Sequence, residues 1–133
     1  MSTKSFIINL PIITGDQDRR RLRKSFSFGC NLQNAVMGGG WDRVLRMRAT
    51  PEWQAARGMP KGSERTKAFR DLRVRFRLNE YDFHADVAKH RKASGRGHLL
   101  GINECQKLAS RAWISVERHL YNGGSPRFIS SRR

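Results

Sequence analysis

Cationic side chains run through this chain at helical spacing instead of gathering in a tail, and this constrains its fold more than any other feature. From Asp16 to Asn122 apolar residues recur every three or four positions, and Lys or Arg fills much of the space between them. Such a chain folds as helices that pack through narrow apolar stripes and keep basic faces outside. The excess is large: 27 Lys+Arg against 11 Asp+Glu, a net +16 over 133 residues. That charge repels itself in a compact state and calls for a polyanion, of which nucleic acid is the commonest. The length suits one domain or a piece of a larger protein. A hydrophobic content of 38% is low, yet seven Phe and three Trp allow a modest core.

Other classes are set aside quickly. No apolar run approaches the roughly 20 residues that cross a bilayer, so no membrane partner is expected. The first eleven residues include a short apolar stretch but no small-residue cleavage site, and no signal peptide is read there. Cys30 and Cys105 stand far apart, with no metal-type spacing, and fit buried, reduced thiols. The expected location is the cytoplasm of a prokaryote or of a phage-infected cell, on the nucleoid when bound.

Residues 5–13 read as a strand, with Pro11 placing it at an edge or a strand end. Helical periodicity starts at Asp16, with Leu22, Phe26, Cys30 and Met37 near one face and Arg19, Arg20, Arg21, Arg23 and Lys24 on the rest. Gly38-Gly39-Gly40 predicts a kink or a break, with a phosphate-binding nest as the less favoured alternative. Thr50-Pro51-Glu52 is a helix start with Thr50 as N-cap. After a loop at 58–62, Ser63 is placed as the cap of a helix with an apolar stripe of Phe69, Leu72 and Phe76. Arg70, Arg73 and Arg77 form a second stripe suited to phosphates. Asn79 to Asp82 reads as another N-terminus, and Ser94 to Gly97 as a flexible break. Asn103 is placed as the cap of the clearest amphipathic helix, whose apolar face is Cys105, Leu108, Ala109, Ala112, Val116 and Leu120. It ends near Asn122-Gly123-Gly124, and Ser125 to Ile129 reads as the start of a strand.

No catalytic motif is present: no G-x-S-x-G, no H-E-x-x-H and no Walker loop. His84, His90, His98 and His119 have no partners at metal-ligand spacing. The amides of Gln106 and Asn79 suit an adenine edge. Trp41, Trp53 and Trp113 could stack on bases, although core packing is favoured for Trp41 and Trp113.

Three segments, Phe28-Gly-Cys-Asn-Leu-Gln-Asn34-Ala, Gln106-Lys-Leu-Ala-Ser-Arg-Ala-Trp113 and Ser125-Pro-Arg-Phe128, occur in that order behind an N-terminal apolar strand. Together they resemble the N-terminal portion of TnpB-like proteins and type V CRISPR effectors. The Tyr-Asn pair frequent in that family is Gln33-Asn34 here. The resemblance implies a wedge strand, a helical recognition domain and a return to a wedge barrel. It implies a grip on a guide RNA–target DNA heteroduplex, with Gln106 and the Leu78 to Asp82 segment near a flanking duplex motif. The family cuts with a RuvC-like acidic triad, often beside a zinc ribbon, in its C-terminal half. Neither is in this sequence, so the chain alone is expected not to be an enzyme and to carry no cofactor.

The expected fold is mainly α: a helical bundle with a lone N-terminal β-strand and a short C-terminal strand, the two completing a β-barrel supplied by further chain or a partner. The expected divisions are a wedge-like strand at 1–13, a helical recognition domain at 14–122 and a return segment at 123–133. The expected nucleic-acid contacts are Arg19, Arg20, Arg23, Lys24, Asn34, Arg70, Arg73, Arg77, Asn79, Tyr81, Gln106, Lys107 and Arg111. The expected partners are a guide RNA, a target DNA duplex or heteroduplex, and a separate chain or further half carrying the nuclease. The competing readings are a DNA-binding repressor or phage accessory protein, and a general RNA-binding protein.

Overall fold

The structure, a computed structural model, describes residues 15–129. The strand expected at 5–13 lies outside them. Five α-helices follow in order: α1 (Asp16–Arg48), α2 (Pro51–Gly58), α3 (Ser63–Arg75), α4 (Glu80–Ser94) and α5 (Ile102–Arg118), with a 3-10 turn at Gly97–Leu99 between the last two. The mainly-α expectation holds. Among the described residues there is no β-strand, which corrects the expectation of one at 125–129.

Three helices, α1, α4 and α5, pack mutually, and α2 pairs with α3 beside them. From Phe28 onward α1 buries Leu32, Val36, Met37, Val44 and Met47. They meet Phe83 and Val87 of α4 and Cys105, Ala109, Ala112, Trp113 and Val116 of α5. Burying each of the larger ones is worth about 1.5–3 kcal/mol. Burial also pushes the Cys105 thiol up, with Arg91 beside it opposing. The helix dipole of α1 is complemented at both ends, by Asp16 and Asp18 in its first turn and by Arg46 and Arg48 in its last.

The glycine triplet does not break α1, which runs 33 residues without interruption. Gly40 makes room for Phe83: a β-carbon there would lie 2.2 Å from the ring. Gly38 lies under the Phe128 ring, 3.6 Å from where its β-carbon would be. The nest reading fails for the same reason as the break. The triplet sits inside a regular helix, where the N–H groups a nest would offer are already spent on the helix.

Local signals set the helix ends. Thr50 caps α2 as expected, its Oγ1 accepting from the Trp53 N–H at 3.2 Å. Ser63 and Asn103 do not cap: Gly62 and Gly101 hold those positions, which puts both side chains inside the first turn. Gly95, at φ 68°, ends α4 in the left-handed region. The break that follows is pinned, because Arg91 Nη2 donates to the carbonyls of Gly97 at 2.7 Å and Leu100 at 3.2 Å.

The chain after α5 turns back onto α1. Asn34 Nδ2 donates to the Ile129 carbonyl at 2.7 Å, and the Ile129 N–H donates to Asn34 Oδ1 at 2.8 Å. One side-chain amide thus pairs both backbone groups of a residue with no neighbouring strand among the described residues. The Asn34 amide, expected at a nucleic acid, is engaged by its own chain.

Candidate nucleic-acid interface

The cap at Thr50 sets α2 so that Trp53 and Arg57, one turn apart, face α3. On α3, Arg65, Phe69 and Arg73 follow at four-residue steps and so share a face. The turn after α5 brings Tyr121 to the same place. These elements enclose a cleft of about 670 Å³ lined by Trp53, Arg57, Lys61, Gly62, Arg65, Thr66, Phe69, Arg70, Arg73 and Tyr121. No carboxylate is among the lining residues.

The floor is aromatic. Trp53 and Tyr121 are parallel within 9°, with ring centroids 5.9 Å apart. Phe69 meets both edge-on, at 5.1 and 5.3 Å. Trp53 is 4% exposed and Tyr121 49%, so Tyr121 is the solvent-side member of the stack. Arg48 holds the turn that carries it, donating through Nη2 to the carbonyls of His119, Leu120 (2.8 Å) and Asn122 (3.3 Å). Burial, with the nearby Arg57 charge adding, pulls the Arg48 guanidinium below its ordinary value.

The cations around this floor are of two kinds. Arg73 is turned inward, its Nε donating to the Leu78 carbonyl at 3.3 Å and its guanidinium lying over Trp113. Arg57, Lys61, Arg65 and Arg70 make no ion pair among the described residues. The Arg65 guanidinium lies 5.4 Å from the Phe69 ring centroid, and its Nε is buried with no hydrogen-bond partner.

The expected stripe of Arg70, Arg73 and Arg77 is therefore not a stripe. Only Arg70 is open. Arg77 lies beyond the end of α3 at φ 55°, where its Nη2 donates to Asp86 Oδ1 at 3.0 Å. Arg43 donates to the other oxygen of Asp86 at 2.8 Å. Asp86 is 7% exposed and ties α1 and the α3–α4 link to α4. Asn79 is also in structural use: it forms a capping box with Asp82, whose Oδ2 accepts the Asn79 N–H at 3.2 Å.

Two further surfaces collect other expected residues. Gln106, Lys107 and Arg111 of α5 line one shallow face of about 520 Å³ with His84, Asn103, Glu104 and Ser110. Tyr81, 84% exposed, meets the His84 ring at 6.2 Å. Arg19, Arg20, Arg23 and Lys24 are exposed on the first turns of α1. Arg20, Arg21 and Lys24 line a hollow of about 620 Å³ with His98.

Comparison with protein-family models, with curated proteins and with solved structures finds no match. The one cluster with a catalytic look is Ser110, His84 and Glu80. Ser110 Oγ donates to Glu80 Oε2 at 2.7 Å, and His84 Nε2 lies 2.9 Å from the same Oγ. In a nucleophilic triad the imidazole takes the serine proton while the carboxylate orients its other nitrogen. Here the carboxylate accepts the serine hydroxyl's hydrogen bond directly and sits on the same side of the ring, 3.8 Å from Nε2. The cluster staples α4 to α5. No group of three or more His, Cys, Asp or Glu that could hold a metal is found among the described residues. No described helix is long and apolar enough to cross a membrane.

Sequence reasoning missed Arg57, Lys61, Arg65, Phe69 and Tyr121 as one site. The available signal was basic and aromatic residues alternating at four-residue steps, Trp53–Arg57 and Arg65–Phe69–Arg73.

Proposed function

We propose that the chain acts by binding nucleic acid, through the cationic cleft between α2, α3 and the turn after α5. The observation that carries this reading is the cleft itself: Arg57, Lys61, Arg65 and Arg70 stand around an aromatic floor with no carboxylate among them. Four unpaired cations at close range repel one another, and a phosphate backbone relieves that repulsion and releases its own counterions. The basic first turns of α1 and the Gln106–Lys107–Arg111 face would add contacts outside the cleft. Gln106, flanked by cations on an open helix face, keeps its proposed role at a base edge.

The finer reading is a recognition module of an RNA-guided, DNA-targeting system, working with a nuclease supplied elsewhere. It rests on the resemblance to TnpB-like and type V effectors. Two of the three segments that carry it have internal work here, because Asn34 holds Ile129 and Pro126 is buried. The test is to purify the chain from its native setting and sequence the nucleic acid that comes with it. One defined RNA encoded beside the gene supports the RNA-guided reading. Mixed RNA reduces it to general RNA binding, and a single duplex site to DNA recognition. Failure to bind any nucleic acid at low salt removes the proposal.

A further inference from the structure

We infer that the cleft holds one unpaired nucleotide of a single strand, its base stacked on Tyr121 and its phosphates between Arg57, Arg65 and Arg70. This rests on the nucleic-acid reading above and specifies the form of nucleic acid that the cleft accepts.

Size argues against a duplex. At about 670 Å³ the cleft falls in the range of small-molecule pockets. It is scaled to a nucleotide, whereas a double helix would only cross its mouth. The floor is the second argument. Tyr121 extends a parallel stack that begins at buried Trp53 and leaves half of its own surface open. A third aromatic plane on that side continues the stack. In a duplex the base faces are already covered by neighbouring pairs, and only an unpaired base offers one. Arg65 is the third argument. Its guanidinium lies 5.4 Å from the Phe69 ring centroid and pairs with no carboxylate among the described residues, and a phosphate supplies the compensating charge. The floor is rigid because Arg48 binds three carbonyls of the turn that carries Tyr121, so little ordering remains when the base arrives.

The experiment compares the full chain and its Tyr121→Ala, Tyr121→Phe and Arg65→Gln variants. Each is titrated by fluorescence anisotropy against a labelled fifteen-residue oligothymidylate and a fifteen-base-pair duplex, with polyglutamate as competitor. Tyr121→Ala should weaken the single strand about tenfold, the worth of one base–aromatic contact, and leave the duplex within about twofold. Tyr121→Phe should keep wild-type affinity. Arg65→Gln should lower the salt slope on the single strand by about 0.7, and because Arg65 makes no ion pair among the described residues it tests the cleft should Tyr121→Ala fail to fold. Equal losses on both probes, or none on the single strand, overturn the inference while leaving duplex binding and the broader reading intact. Displacement by polyglutamate at equal charge overturns it in favour of an acidic protein partner. If neither probe binds, both readings fall.

Discussion

The two sides of the molecule use arginine in opposite ways. In the bundle, Arg43 and Arg77 close on Asp86, and Arg91 and Arg48 close on loop carbonyls. Around the α2–α3 hairpin, Arg57, Arg65 and Arg70 pair with no carboxylate among the described residues. The residue type is the same, and the surroundings differ. Where a chain link leaves orphan carbonyls or a buried acid, arginine finishes the fold, because its planar fork can meet several acceptors at once. Where no acceptor exists among the described residues, the charge stays without an internal partner. The net +16 thus overcounts the charge open to a partner, since several cations are already committed to the chain's own packing.

The largest effect expected from this division is on stability. Asp86→Ala leaves Arg43, whose side chain is only 17% exposed, without its carboxylate partner and Arg77 with Asp82 alone at 3.9 Å. Removing one partner of a buried ion pair costs about 3–5 kcal/mol. The midpoint of urea unfolding should fall accordingly, while the folded fraction binds oligonucleotide as before. A loss below about 1 kcal/mol would class these pairs with ordinary surface salt bridges and erase the contrast.

The converse variant is Arg57, Arg65 and Arg70 changed together to Gln. Unfolding should move by no more than about 0.5 kcal/mol for each site, because no intramolecular ion pair is lost. Binding should weaken on every sequence, with the log–log salt slope falling by about two units, near 0.7 for each single-strand phosphate contact. A stable variant with an unchanged slope would show that these arginines are solvated and idle. The triple variant at 70, 73 and 77 would mix the two classes. Its salt slope should fall by only about one contact, since Arg73 and Arg77 are bound to Leu78, Asp82 and Asp86.

What the sequence made legible follows the range of each interaction. The Thr50 cap needs only the next three residues and was readable. Gln106, Lys107 and Arg111 share a face because helical spacing puts them there, and the structure keeps them together. Arg70 and Arg73 look alike in sequence, yet one is open and the other bends to the Leu78 carbonyl. That choice depends on how the chain turns after α3. The aromatic floor joins Trp53 to Tyr121 across about half the length of the chain, and no local pattern announces it. The strand expected at 125–129 failed for a related reason: extended composition makes a strand only where a neighbour offers a ladder, and among the described residues a single Asn34 amide stands in for one.

The glycines of α1 repeat the division on a smaller scale and give the last way to test it. The triplet looked like a single device, a kink or a nest. In the folded chain Gly40 is filled against Phe83, while a β-carbon at Gly39 meets nothing closer than the Arg43 guanidinium at 3.8 Å. Gly40→Ala must push Phe83, itself fully buried against Trp113, off its rotamer, at a cost of about 1–3 kcal/mol. Gly39→Ala adds a methyl at an exposed helical position and removes backbone freedom from the unfolded chain. It should stabilise by about 0.5–1 kcal/mol, the usual difference between Gly and Ala in a helix. Thermal unfolding of the two single variants decides it. Opposite shifts mean that α1 is continuous and notched at one position only. Destabilisation by both would mean that the helix needs its flexibility at Gly39 too, returning the triplet to the role of a hinge.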